Sequence, residues 1–278
     1  MIQINPIEAL LWSIRKNEKD VINAYDKLAP IMQIGADSSM LNFGLWEQNA
    51  KNPLDAQKRM CEYVSILGEF QHAKKLLDIG SGYSSPALFW KEHLPELQIT
   101  CLNLSFNQLN HDLAKNNLDL VNSTSTSIPL DENSFDRIIA LESAHHFKPL
   151  GIFLEESKRI IRDDGIVILA IPVTDQRLAY LKLGILNLTW TSQHYSKRFV
   201  ESQIKNAGFV IKSNEAIGSK VYEPLADYYI SNRVNLKKCF CDTYSDKIES
   251  LIFHSMEKMK KLSEQKIIEY LLMKLIPV

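Results

Sequence analysis

The chain has 278 residues, 45% apolar and 23% charged, the balance of a soluble globular protein with room for a sizeable core. Lysine plus arginine number 32 against 33 aspartates plus glutamates, so the formal net charge of −1 carries no basic excess for nucleic acid. Four cysteines (Cys61, Cys101, Cys239, Cys241) are too few and scattered for a disulfide framework, and Cys239-Phe-Cys241 lacks the spacing and second pair of a zinc knuckle.

The amino terminus, MIQINPIEALLWSIRKNEKD, has no basic start followed by a long apolar core, so it does not read as a signal peptide. No stretch approaches roughly 18 uncharged apolar residues, so no membrane span is expected and the cytoplasm is the expected location. Residues 7–30 carry apolar positions at helical spacing in two groups (Ile7, Leu10, Leu11, Ile14, then Val21, Ile22, Tyr25, Leu28), which predicts two amphipathic helices closed by Pro30. SSMLNFGLWEQNAKNP reads as a loop rich in aromatics, and LDAQKRMCEYVSILGEF as a further helix.

From Lys75 apolar runs of strand length alternate with helical segments. KLLDI precedes SPALFWKEHL, QITCLNL precedes FNQLNHDLAKNN, and FDRIIALE precedes LGIFLEESKRII. GIVILAIPV, KRFVESQIKNAG and FVIKSNEAI complete the series. Such alternation predicts a parallel sheet with helices on both faces, and the unbroken Ile, Leu and Val runs suit strands buried on both sides. PLADYYISNRVNLKKCFCDTYSDKIESLIFHSMEKMKKLSEQ reads as helices, and periodicity leaves KIIEYLLMKLI open between helix and strand.

LLDIGSGYSSPAL, residues 76–88, is the candidate ligand loop. A strand ending at Asp78 and turning through Gly80, Ser81 and Gly82 into a helix brings backbone N–H groups close to a ligand, and a Cβ there would obstruct the approach. A plain structural turn is the competing reading. The next strand ends at Asn103, where a Rossmann fold places its ribose-binding residue. Ser85 replaces the third glycine of a pyrophosphate loop, and Asp78 is a poor neighbour for phosphate but a good one for a cation. A nicotinamide dehydrogenase is therefore disfavoured.

Together these segments resemble the class I S-adenosylmethionine-dependent methyltransferases. LLDIGSGYSSPAL resembles their first motif, ITCLNLSFNQL their second strand, TSTSIPLDENSFDRIIALESAHHF their fourth-strand region, and ESKRIIRDDGIVILAIPV the unit that follows. NFGLW, LNLSFNQL and ESAHHF look most like the branch holding natural-product and sugar O-methyltransferases and sterol and tocopherol C-methyltransferases. The resemblance implies an α/β, Rossmann-like seven-stranded sheet in the order 3-2-1-4-5-7-6 with strand 7 antiparallel, and makes KIIEYLLMKLI that strand. It divides the chain into an N-terminal helical lid (1–70), a cofactor-binding core (71–221), a helical cap insertion (222–265) and a final core strand (266–278).

On this resemblance S-adenosylmethionine is the cofactor. Its expected contacts are Asp78, Gly80, Ser81, Gly82, Asn103, Leu104, Thr124, Ser125, Glu142, Tyr25 and Trp46. Asn103 stands where many such enzymes have an acid for both ribose hydroxyls, and Thr124 or Ser125 where many have Asp for the adenine amino group. Tyr25, Phe43 and Trp46 could offer aromatic faces to a sulfonium or simply pack the lid.

LESAHHF lies just past the fourth strand, at the carboxyl end where α/β sheets place ligands. A histidine in this motif serves as base in the O-methyltransferase branch, so His145 is the expected base and His146 its neighbour or a substrate contact. Adjacent side chains in a turn are expected to diverge. Asp175, directly after the fifth strand, is expected to orient the histidine or bind the acceptor, with an N-cap as the plain alternative. His145, Asp175 and Glu142 do not form a tight ligand set, so no metal is expected. The expected partners are a small-molecule acceptor and at most further copies of the chain, without nucleic acid or membrane. O-methylation of a natural product is the leading expectation. C-methylation of an aromatic or isoprenoid acceptor and S-adenosylmethionine binding without methyl transfer are the rivals.

Overall fold

A computed structural model describes residues 11–12, 14–47, 50–111, 117–174, 182–190 and 192–278. The first long helix, α1 (Glu18–Ala36), starts where the Asn17 side chain accepts from the Asp20 amide and stops where Asp37 turns left-handed. It runs through Pro30, which the sequence reading had placed at its end. A proline removes one backbone bond, while the small face of Ala24, Ala29 and Ala36 stays buried on both sides of it. Helix α2 (Pro53–Leu67) opens on a proline, which has no amide to leave unpaired, and Asn52 accepts from the Asp55 amide.

The sheet comprises β1 (Lys75–Ile79), β2 (Gln98–Asn103), β3 (Asp119–Asn122), β4 (Phe135–Leu141), β5 (Ile161–Thr174), β6 (Phe209–Ala216) and β7 (Ile268–Pro277). Their order is β3-β2-β1-β4-β5-β7-β6, the order that the resemblance implied. The pairs β1–β2, β1–β4, β2–β3 and β4–β5 are parallel, and β6–β7 is antiparallel. The ambiguous carboxyl-terminal run is thus a strand, laddered from Ala216↔Leu271 to Phe209↔Pro277. RDDG lies within β5, where the register moves from Phe135↔Ile161 to Arg137↔Ile166 and the strand loops outward.

Helices α3 (Ser85–His93), α4 (Phe106–Leu109), α5 (Leu150–Ile160), α6 (Leu186–Thr189), α7 (Lys197–Asn206), α8 (Gly218–Thr243) and α9 (Asp246–Glu264) complete the described elements. The described residues of Met60–Val173, Tyr195–Ala216 and Tyr270–Val278 form one compact unit. Its core joins Leu77 and Ile79 of β1, Ile138 of β4, Phe153 and Leu154 of α5, Val167 and Leu169 of β5, and Leu271 and Met273 of β7, all fully buried.

Those of Met1–Arg59, Thr174–His194 and Ile217–Glu269 form a second unit. Within it Glu249, buried on α9, accepts from the Arg233 guanidinium at 2.9 and 3.1 Å, and that guanidinium lies 3.6 Å from the centre of the Phe253 ring. No described helix is long and apolar enough to cross a membrane.

Truncating a ring with no exposed surface removes contacts the sheet cannot recover. Phe153→Ala should lower unfolding stability by about 3–5 kcal/mol in urea titration. Val234→Ala, at a side chain 75% exposed, should stay within about 0.5 kcal/mol of the parent.

Candidate cofactor and active site

Past β1 the chain turns at Gly80, whose φ of +77° lies in the region that favours glycine. The amides of Gly80 and Ser81 both donate to the Leu102 carbonyl of β2, at 2.7 and 3.2 Å. These two N–H groups are therefore spent on the scaffold, where the sequence reading had them near a ligand. From the other side the Ser143 hydroxyl donates to the Ile79 carbonyl at 2.6 Å. A Cβ on Gly80 would collide with the Ser143 side chain. The first glycine is thus demanded by the close approach of the turns after β1 and β4. Gly82 also has a positive φ, and the Ser81 and Ser84 hydroxyls lie 3.2 Å apart before α3 begins at Ser85.

Asp78, near the end of β1, is 2% exposed and has no hydrogen bond or ion pair among the described residues. Burial pushes its carboxyl up to about 7. Strand order reverses between β1 and β4, and such a switch point opens a crevice at the carboxyl ends of the strands. Glu142 follows β4 with a left-handed φ of +53°, its amide donating to the Ala170 carbonyl at 2.8 Å. Its carboxylate accepts from the hydroxyl of Tyr270 on β7 at 2.8 Å. Tyr270 escaped the sequence reading because it sits inside an apolar run without periodicity.

After β2, Asn103 is buried, and its side-chain amide nitrogen donates to the Ser105 carbonyl at 3.2 Å and to Gln108 Oε1 at 2.9 Å. The resemblance had placed this residue where an acid commonly meets both ribose hydroxyls. Both N–H groups are committed internally, so toward any ligand this side chain has its carbonyl oxygen, an acceptor, to offer. The Asn122 side chain, at the end of β3, donates to the backbone carbonyls of Asn103 and Leu104, each at 2.9 Å. Thr124 and Thr126 place their hydroxyls 3.1 Å apart, and Ser125 between them is buried. Gln108 was missed, although the Ser105 hydroxyl capping its amide is a legible N-cap pattern.

The histidines occupy a 3₁₀ turn, Ala144–His146. His145 is 8% exposed, His146 half-buried, and their ring centroids are 3.9 Å apart at 46°. The rings lie side by side, not divergent as expected, because a tight 3₁₀ turn follows the left-handed Glu142. Asp175 lies outside the described residues.

In the second unit Phe43, Trp190 and Tyr222 form an aromatic cluster with centroids 5.6–5.8 Å apart. Trp46 packs on Tyr228 at 5.6 Å, its buried indole N–H having no hydrogen-bond partner among the described residues. Tyr25 is half-buried on α1. Gly44 is required locally, since a Cβ there would meet the backbone of α2 at Ala56, 2.7 Å away. Among the described residues no group of three or more His, Cys, Asp and Glu side chains is arranged to hold a metal.

A buried, unpartnered carboxylate beside a switch-point crevice suits a cationic nucleoside better than a pyrophosphate, and S-adenosylmethionine has that charge. Residues 77–169 match the family model described as a methyltransferase domain. The sheet order is the one that the resemblance to the class I S-adenosylmethionine-dependent methyltransferases implied, and the matched segment runs through β1 to β5 of that sheet. Among curated proteins it is 20% identical over 258 residues to erythromycin 3''-O-methyltransferase of Saccharopolyspora erythraea, a match covering 84% of this chain and 81% of that one. In fold it is similar to the cyclopropane synthase MmaA2 from Mycobacterium tuberculosis, with TM-score 0.79 and 16% identity, covering 94% and 98% of the two chains. It is also similar to the cyclase SpnF, with TM-score 0.75 and 19% identity over 94% and 96%.

Gly80→Val should abolish binding of S-adenosylhomocysteine in calorimetry and lower the melting temperature, because the branched side chain would drive Ser143 off Ile79. The raised Asp78 carboxyl also sets a pH dependence. The native state keeps this proton above the ordinary 3.8 of the unfolded chain, so the stability it contributes is full below about 4 and lost as pH rises through about 7. Without ligand, urea midpoints should fall across that window, and Asp78→Asn should flatten the fall. Binding of S-adenosylmethionine should tighten over the same window, since a cation favours the ionised carboxylate.

Proposed function

We propose that the protein transfers a methyl group from S-adenosylmethionine to a hydroxyl oxygen of a small natural-product acceptor, with His145 as the base. The observation that carries this reading is the histidine pair in the turn after β4, beside the switch point where α/β sheets bind ligands. The natural-product acceptor named for the erythromycin relative supports it. So does the net charge of −1, which offers nothing to a polyanion.

Bound S-adenosylmethionine supplies a methyl carbon activated by a sulfonium. The chain's own part is to align the acceptor oxygen with that carbon, exclude water and remove the hydroxyl proton as the new bond forms. His145 takes that proton, and the His146 ring 3.9 Å away limits the orientations His145 can adopt. Asn103 accepts from a ribose hydroxyl, and Asp78 supplies charge opposite the cationic end of the cofactor.

The test is a screen of hydroxylated natural products with isotopically labelled cofactor, the methylated atom being located by NMR. A labelled methoxy product is expected, and methylation at carbon would overturn the acceptor atom. His145→Ala should lower kcat by about 10²–10⁴-fold while leaving S-adenosylhomocysteine affinity near that of the parent. Full turnover in both His145→Ala and His146→Ala would sink the histidine base.

A further inference from the structure

We infer that Tyr270 is a positioning residue for the cofactor: its hydroxyl holds the Glu142 carboxylate beside the β1–β4 crevice, where that carboxylate takes the ammonium group of the methionine end. This rests on the S-adenosylmethionine reading of the site.

Tyr270 has no exposed surface and belongs to β7, separated from β4 by β5. A phenylalanine or leucine would fill such a core position without a polar atom to satisfy. The tyrosine instead brings a hydroxyl through the core to Glu142 Oε1, at 2.8 Å. Glu142 is thereby held at both ends, its backbone amide by Ala170 of β5 and its carboxylate by β7. Its left-handed φ of +53° is unfavourable for a residue with a side chain, and such conformations persist where surrounding contacts impose them.

The charge around Glu142 points to a cation. Asp78 flanks the same crevice from β1, buried and without a hydrogen-bond partner among the described residues. The thiol of Cys61, on α2, feels both carboxylates, whose charges add to burial in pushing it well above its usual range, so the two acids share one neighbourhood. A buried and a half-buried acid at one pair of strand ends make that place favourable for a positive group. S-adenosylmethionine brings an ammonium and a sulfonium to this end, and its product retains the ammonium alone. The carboxylate that Tyr270 orients is assigned to the ammonium, which leaves Asp78 as the general counter-charge.

The experiment compares S-adenosylhomocysteine with its deaminated analogue, identical except that hydrogen replaces the amino group, by calorimetry on the full chain. Glu142→Gln should weaken S-adenosylhomocysteine roughly 10- to 100-fold and leave the analogue within about twofold. Tyr270→Phe keeps the ring and should weaken S-adenosylhomocysteine about 3- to 10-fold, again sparing the analogue. In the double variant the tyrosine change should add nothing further, because the two groups act as one unit.

Equal losses for both ligands would make the pair structural and overturn the inference, as would unchanged affinity in Tyr270→Phe or fully additive losses. A parent protein that binds neither ligand would overturn the cofactor reading itself, an outcome distinct from indifference of the variants.

Discussion

Gly80 and Ser143 approach so closely that no side chain fits between them, and the site is organised around that contact. Ser143 closes the end of β1 through the Ile79 carbonyl, while the amides of Gly80 and Ser81 close the end of β2 through Leu102. Three strand ends are thus bound into one rim. The turn that carries Ser143 also carries Glu142 and the histidine pair, so the glycine sets the position of groups more than sixty residues further along the chain.

Asp78 sits buried at that rim without an ion-pair partner among the described residues, and burial raises its carboxyl to about 7. A buried carboxylate without a partner is costly when ionised, and the raised pKa is how the ligand-free chain tolerates it. The same economy governs Asn103. Ser105 and Gln108 consume both donors of its amide, so what this buried side chain has left to offer is an acceptor oxygen, without added charge.

Much of the architecture was legible because parallel strands buried on both faces leave long apolar runs separated by helical ones. β1, β2, β4 and β5 announce themselves in this way, while β6, an edge strand antiparallel to β7, shows only the short apolar start FVI. β3 does not: Asp119–Asn122 is short and mostly exposed at the sheet edge, so it carries no apolar signal. Pro30 misled because a proline breaks helices locally, while tertiary burial of small alanines favours continuing α1 past it. KIIEYLLMKLI could not be read from periodicity at all, since a strand covered on both faces and a buried helix are equally apolar. Its pairing with β6 decides the matter.

The sequence by itself determined the order of strands and helices, the glycine loop after β1 and the histidine pair after β4. These follow from local composition and spacing, which short-range sterics and burial translate directly into structure. Only the tertiary structure decided which groups meet: Tyr270 with Glu142, Gln108 with Asn103, Ser143 with Gly80, and the two histidine rings with each other. The reason is geometric. The sheet order brings strand ends together across long stretches of chain, and a single hydroxyl or a missing Cβ at such a junction leaves no pattern in its neighbours along the sequence.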